Sequence, residues 1–168
     1  MKRPVLYSVS LILVMLVTGV FWGTWFTLTR SISDFPPDNF IRIGKTIIAN
    51  VAWPMRILMP ATLIVLAWLA FATFHLRPSF YFFVAALFLM TISLVITVSV
   101  EVPIDNQIKT WTAETLPSNW TELRATWDRF HTLRTITSVL SFVSLSIGTV
   151  ADSRSRKLKN DHLTSTLI

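Results

Sequence analysis

The residues with the most chemical potential lie in one stretch, Pro117-Ser-Asn-Trp-Thr-Glu-Leu-Arg-Ala-Thr-Trp-Asp-Arg-Phe-His-Thr-Leu-Arg134. Turning a helix by 100° per residue puts Trp120, Arg124, Trp127, His131, Arg134 and Ser138 on one arc of about 80°. Histidine titrates nearest neutral pH, arginine is a fixed cation, and tryptophan offers a flat apolar face. Such a stripe can accept a proton, hold an anion and stack on a ring. The competing reading is an ion-pair cluster that caps a helix bundle, its arginines snorkelling to an interface. Snorkelling, however, does not demand one narrow face.

The elements that must position this stripe follow from charge, or the lack of it. The chain has 168 residues, 52% of them hydrophobic and 14% charged, against roughly a quarter charged in ordinary soluble domains. That balance excludes a disordered chain and an ordinary cytosolic enzyme. The absence of cysteine excludes a disulfide scaffold. Uncharged runs of 26, 20, 23 and 17 residues separate Arg3 from Arg30, Arg56 from Arg77, Arg77 from Glu101 and Arg134 from Asp152. A helix needs about 20 such residues to cross a bilayer. Four spans are expected, at about 5–28, 57–75, 79–101 and 131–151, in one membrane domain covering 1–168. A cleaved signal peptide is disfavoured, since bulky Phe21, Trp22, Trp25 and Phe26 stand where a small-residue site belongs.

The expected fold is therefore all-α: an integral membrane four-helix up-down bundle with long extracytoplasmic loops at 29–56 and 102–130. The basic cluster Arg154-Ser-Arg-Lys-Leu-Lys159 sets both termini on the cytoplasmic side of the cell (inner) membrane. The +6 net charge is read as this topological signal and not as nucleic-acid binding. Leu76-Arg77-Pro78 reads as a tight turn, Asp34-Phe-Pro-Pro-Asp38 as a second turn, and 40–55 as an amphipathic interfacial helix or an irregular loop. Gly19 and Gly23 are spaced for close helix approach. Thr137, Ser141, Ser144 and Gly148 form a small-residue seam, and Ser93, Thr97 and Glu101 climb one side of span three.

Span four is about three residues short of the bilayer requirement, which draws His131 and Arg134 to or below the interface. Charge at that depth needs a partner, and Glu101 and Asp105 at the end of span three are the nearest candidates. Pro103 between them is expected to interrupt the helix and free carbonyl acceptors.

The run Val102-Pro-Ile-Asp-Asn-Gln-Ile-Lys-Thr-Trp111, then Pro117-Ser-Asn-Trp120, then Arg124, Trp127, His131, Leu133, Arg134 and Thr135, resembles the signature of the anthrone oxygenase family of small membrane proteins. Many bacterial members of that family are known only as a domain of unknown function. Met59-Pro60 at the start of span two and the four span lengths agree with the resemblance. It implies oxidation of a tricyclic anthrone to an anthraquinone by dioxygen. By motif position it implies a functional set of Asn106, Trp111, Trp120, Arg124, Trp127, His131 and Arg134.

Residue types narrow the chemistry further. Without cysteine there is no thiol relay and no iron–sulfur cluster. His75 and His131 lie at opposite ends of their spans and cannot share a haem. No metal or other cofactor is predicted, although ligation of a haem or metal by His131 alone stays open. On the oxygenase reading His131 is the general base, Arg124 and Arg134 stabilise the anion, and Glu101 or Asp105 orients His131. Trp120, Trp127 and Ser138, with Asn106 and Trp111, bind the substrate. The expected partners are membrane lipids and a small hydrophobic aromatic, anthrone- or quinol-like, at an outward-facing polar cavity. The rival class is a non-enzymatic membrane protein that binds lipid, quinone or another hydrophobic ligand, or an accessory subunit.

Overall fold

A computed structural model describes residues 3–75 and 79–165. Helix α1 (Arg3–Thr27) leads through a short 3-10 turn (Thr29–Asp34) into α2 (Pro37–Thr73). Helix α3 (Ser79–Ile96) passes through a π turn (Thr97–Glu101) into α4 (Val102–Ile108), and α5 (Trp120–Ser165) completes the chain. The described residues contain no strand. Four helical stretches are long and apolar enough to cross a bilayer. The chain is thus a four-helix membrane bundle, in which α1 packs on α2 and α5, and α3 on α2 and α5.

The stretches expected to be long loops are largely helical. Pro37 starts α2 at its first turn, where a missing N–H costs nothing. The helix then runs through 40–55 without a break into the apolar span. At 1.5 Å per residue its 37 residues measure roughly 55 Å, well beyond the ~30 Å bilayer core. Helix α5 likewise runs unbroken from Trp120 past the basic cluster. The turn expected at Leu76-Arg77-Pro78 lies outside the described residues.

Pro103 does not interrupt the third span. It lacks the N–H that would bond the Ser99 carbonyl. The turn just before it widens, and the Val102 N–H donates to the Thr97 carbonyl five residues back. The helix continues past the proline, so the expected interruption does not occur.

Among the residues buried in the bundle core are Val14, Val17, Leu66, Leu69, Phe83, Met90 and Leu145. Ile57, Ile64, Phe71, Phe88 and Val150 face outward, as lipid contact requires. Lipid tails are as apolar as leucine, so close packing and interhelical hydrogen bonds must hold the spans together. The α5 seam does this against α3. The Ser141 hydroxyl donates to the Ala86 carbonyl at 2.7 Å and Ser144 to that of Phe82 at 2.8 Å. A Cβ at Gly148 would sit 2.7 Å from the Phe83 ring and 3.0 Å from the Phe82 Cβ.

Gly148→Ala is therefore expected to destabilise by about 1–3 kcal/mol through overpacking, seen as earlier thermal unfolding in detergent. Gly19 and Gly23 behave differently. A Cβ at either meets nothing within 4 Å, so the close approach expected there does not occur. Gly19→Ala serves as the control, with stability unchanged or slightly raised by the better helix former.

At the bundle end remote from the stripe, the Tyr7 hydroxyl donates to Asp152 at 2.7 Å, and Arg156 pairs with the same carboxylate. This ties the start of α1 to α5.

Candidate functional site

The stripe on α5 meets the resumed third span around one buried ion pair. Glu101 is fully buried, and its Oε2 lies 2.7 Å from Arg134 Nη2. The contact is ionic rather than a well-directed hydrogen bond, and Glu101 Oε1 has no donor among the described residues. Arg134 also donates from Nη1 to the Thr97 hydroxyl at 3.2 Å, and its guanidinium lies over the Phe21 ring at 4.5 Å. One turn earlier on α3, the Ser93 hydroxyl donates to the Arg134 carbonyl at 3.1 Å. The Ser93, Thr97 and Glu101 row thus faces the Arg134 turn of α5.

Arg134 also fixes the state of His131. Its Nε and Nη2 lie 3.2 and 2.8 Å from His131 Nδ1. A guanidinium only donates, so Nδ1 accepts and the neutral ring carries its proton on Nε2. Glu101 lies 3.9 Å from Nδ1, too far to hydrogen-bond it. Arg134, rather than Glu101 or Asp105, therefore orients the ring. Nε2 is buried and makes no well-formed hydrogen bond, although the Phe21 carbonyl is close by.

Trp127 links the histidine to the second acid. Its ring stacks on His131, with centroids 4.7 Å apart and planes 5° from parallel. Its Nε1–H donates to Asp105 Oδ1 at 3.2 Å. That is the one hydrogen bond to the Asp105 side chain among the described residues.

Asp105, Asn106, Trp127, His131 and Arg134 share the wall of a cavity of about 320 Å³. That volume is at the small end of ligand sites. The remaining wall is largely apolar and comes mostly from α1 and the extended part of α2, including Phe21, Ile48, Val51, Met55 and Met59. None of these residues belongs to the site expected from the sequence. The mixed apolar and polar pattern of 40–55 was the available signal.

Other residues of the expected site stand apart from the cavity. Glu101 is behind Arg134 and does not line it. Arg124 donates to the Phe35 carbonyl at 3.2 Å and lies over the Trp120 ring, 4.7 Å from its centroid. Trp120 and Trp111 both pack on Phe40, and the Trp111 carbonyl accepts from Lys45 Nζ at 2.7 Å. Ser138 is buried and donates to the Thr135 carbonyl. Length explains the division, since Trp120 and Ser138 are separated by roughly 27 Å along the helix axis. A cavity of this size spans only the middle of the stripe. Arg124 and Trp120 hold the α5 entry against the end of the 3-10 turn and α2.

No cluster of three or more metal-ligating side chains occurs among the described residues. No curated protein and no solved structure matches the chain. Residues 48–144, over half its length, match the anthrone oxygenase family. The match runs from the extended part of α2 through the Glu101–Arg134 pair and includes Asp105, Trp127 and His131 on the cavity wall. By this match the chain belongs to the anthrone oxygenase family.

Proposed function

We propose that the cavity oxidises an aromatic ketone with an acidic ring methylene, of the anthrone type, using dioxygen. The observation that carries this reading is the convergence of a carboxylate, an imidazole N–H and a guanidinium on one apolar cavity in a member of this family.

Asp105 takes a proton from the methylene carbon. The electron pair left behind spreads onto the ketone oxygen, and His131 Nε2–H and Arg134 hold the resulting phenolate. In this scheme His131 donates, because its accepting nitrogen is taken by Arg134. The general base is then Asp105 rather than the expected His131. The phenolate passes one electron to dioxygen, and the radical and superoxide combine to form a C–O bond. The proton on Asp105 completes the hydroperoxide. Loss of the second C–H proton with O–O cleavage releases water and leaves a carbonyl. One CH2 and one O2 become one C=O and one H2O. The substrate anion is itself the reductant, so the scheme requires no metal or flavin. Glu101 keeps Arg134 in place, and Trp127 keeps Asp105 and His131 in register.

The basic cluster after span four supports an orientation with both termini cytoplasmic and the cavity toward the outer side of the inner membrane. The test is turnover of an anthrone by purified protein under ¹⁸O₂. One O2 is expected per molecule, with label in the new carbonyl and a rate above spontaneous autoxidation. Tight binding of an anthrone or quinone without label incorporation would favour the ligand-binding alternative.

A further inference from the structure

Two cations on the cavity wall have no part in the reaction above. Arg56 from α2 and Lys109 at the end of α4 both line the cavity. Arg134, the third cation there, is neutralised by Glu101, and Asp105 is the one acid among the lining residues. Arg56 makes no hydrogen bond or ion pair among the described residues. Lys109 gives one bond, to Asn106 Oδ1 at 2.9 Å, which leaves two ammonium donors unused.

Both cations are exposed, whereas His131 is buried and Arg134 nearly so. The cavity therefore has a buried reacting side and an exposed cationic rim. This rim is not the common fate of basic residues on α2. Arg42 is exposed but does not line the cavity, and Lys45 is bonded to the Trp111 carbonyl. Arg56 contributes to the cavity wall and is exposed, which sets its side chain at the cavity mouth. The wall also offers the parallel, stacked Trp127 and His131 rings, which suit an aromatic ring more than an acyl chain.

We infer that the cavity takes an aromatic substrate carrying an anionic group, a carboxylate or a phenolate, on the edge remote from the reacting carbon, and that Arg56 and Lys109 recognise it. The inference rests on reading this cavity as the substrate site. It sets substrate class through charge complementarity, with the rings against apolar side chains and the anion at the rim.

The test uses redox-inert product analogues, so it does not depend on turnover. Anthraquinone-2-carboxylate and its neutral carboxamide are titrated into the full-length protein in neutral detergent, following tryptophan fluorescence. The carboxylate is expected to bind about tenfold tighter, the scale of one charge-assisted contact, with the advantage shrinking in high salt. Arg56→Gln and Lys109→Gln should each reduce that preference, and the double variant should abolish it. Arg42→Gln, on the same helix but outside the cavity, should leave it intact.

Equal binding of the two analogues, binding of neither, or a preference that survives the double variant would overturn the inference. So would tighter, Arg56-dependent competition by dimyristoylphosphatidylglycerol, which would assign the rim to lipid. A retained preference without ¹⁸O incorporation would sink the oxygenase reading alone. Label incorporation without any preference would sink only the anionic-substrate reading.

Discussion

Asparagine in place of Asp105 is expected to lower kcat for oxygen uptake by about 10²–10⁴, the usual contribution of a positioned general base. Binding of anthraquinone analogues should change little. Asparagine keeps the size of the side chain and can still accept from Trp127 Nε1, as Asp105 does at 3.2 Å. It has no lone pair basic enough to take a carbon-bound proton.

The companion variants separate this assignment from the alternative. His131→Gln retains an N–H donor at the end of the side chain and should keep a measurable fraction of the rate. His131→Ala removes the donor and should lose about 10²–10³, as for an oxyanion contact. Were Asp105→Asn to stay active while His131→Gln was dead, the imidazole would be the base after all. Arg134 would then have to leave Nδ1 during turnover. The assignment turns on one geometric fact, that a donor-only guanidinium occupies that nitrogen.

Glu101→Leu is expected to be the most destabilising single change near the site. It leaves a guanidinium only 11% exposed without its ion-pair partner, in the part of the chain that crosses the bilayer. Breaking one side of a buried pair costs about 3–5 kcal/mol in soluble proteins. In the membrane the Arg134 charge has no better place to go. Loss of folded protein in detergent, or a large drop in thermal transition, is the readout.

Replacing both partners, as Glu101→Leu with Arg134→Met, should recover most of the stability, because apolar pairs can substitute for buried ion pairs. The double variant should still fail in turnover, since it lacks the anion-holding cation and the group that fixes the His131 tautomer. Recovery of folding without recovery of rate would show that the pair serves the reaction and not stability alone. A single variant as stable as the parent would show that Glu101 does not hold Arg134.

Much of the site was legible one helix at a time. The α5 stripe, the short fourth span and the acids at 101 and 105 are local properties, because helical periodicity and span length depend only on neighbours in sequence. The Ser141, Ser144 and Gly148 seam was legible for the same reason, and so was the row of Ser93, Thr97 and Glu101. The equally suggestive Gly19 and Gly23 misled, since spacing states which face is small and not whether another helix lies against it. Pro103 was recognised as a disturbance. Whether it breaks a helix or widens one turn depends on the surrounding packing, and here the turn widens.

By itself, then, the sequence determined the class of the protein: too little charge for water, four apolar runs, and one face that gathers its scarce polar groups. Tertiary structure decided which of those groups meet. It directed Trp127, His131 and Arg134 into a shared cavity, while Arg124 and Trp120 brace the start of the helix and Ser138 bonds back to its own helix. It supplied much of the apolar wall from a stretch that reads equally well as a loop, and it set Arg56 and Lys109 on the rim. It also chose the protonated nitrogen of His131, through a contact three residues along the same helix that depends on Glu101 holding Arg134. Periodicity along one helix fixes direction, but roles in chemistry depend on distances between helices, and those exist only once the bundle has packed.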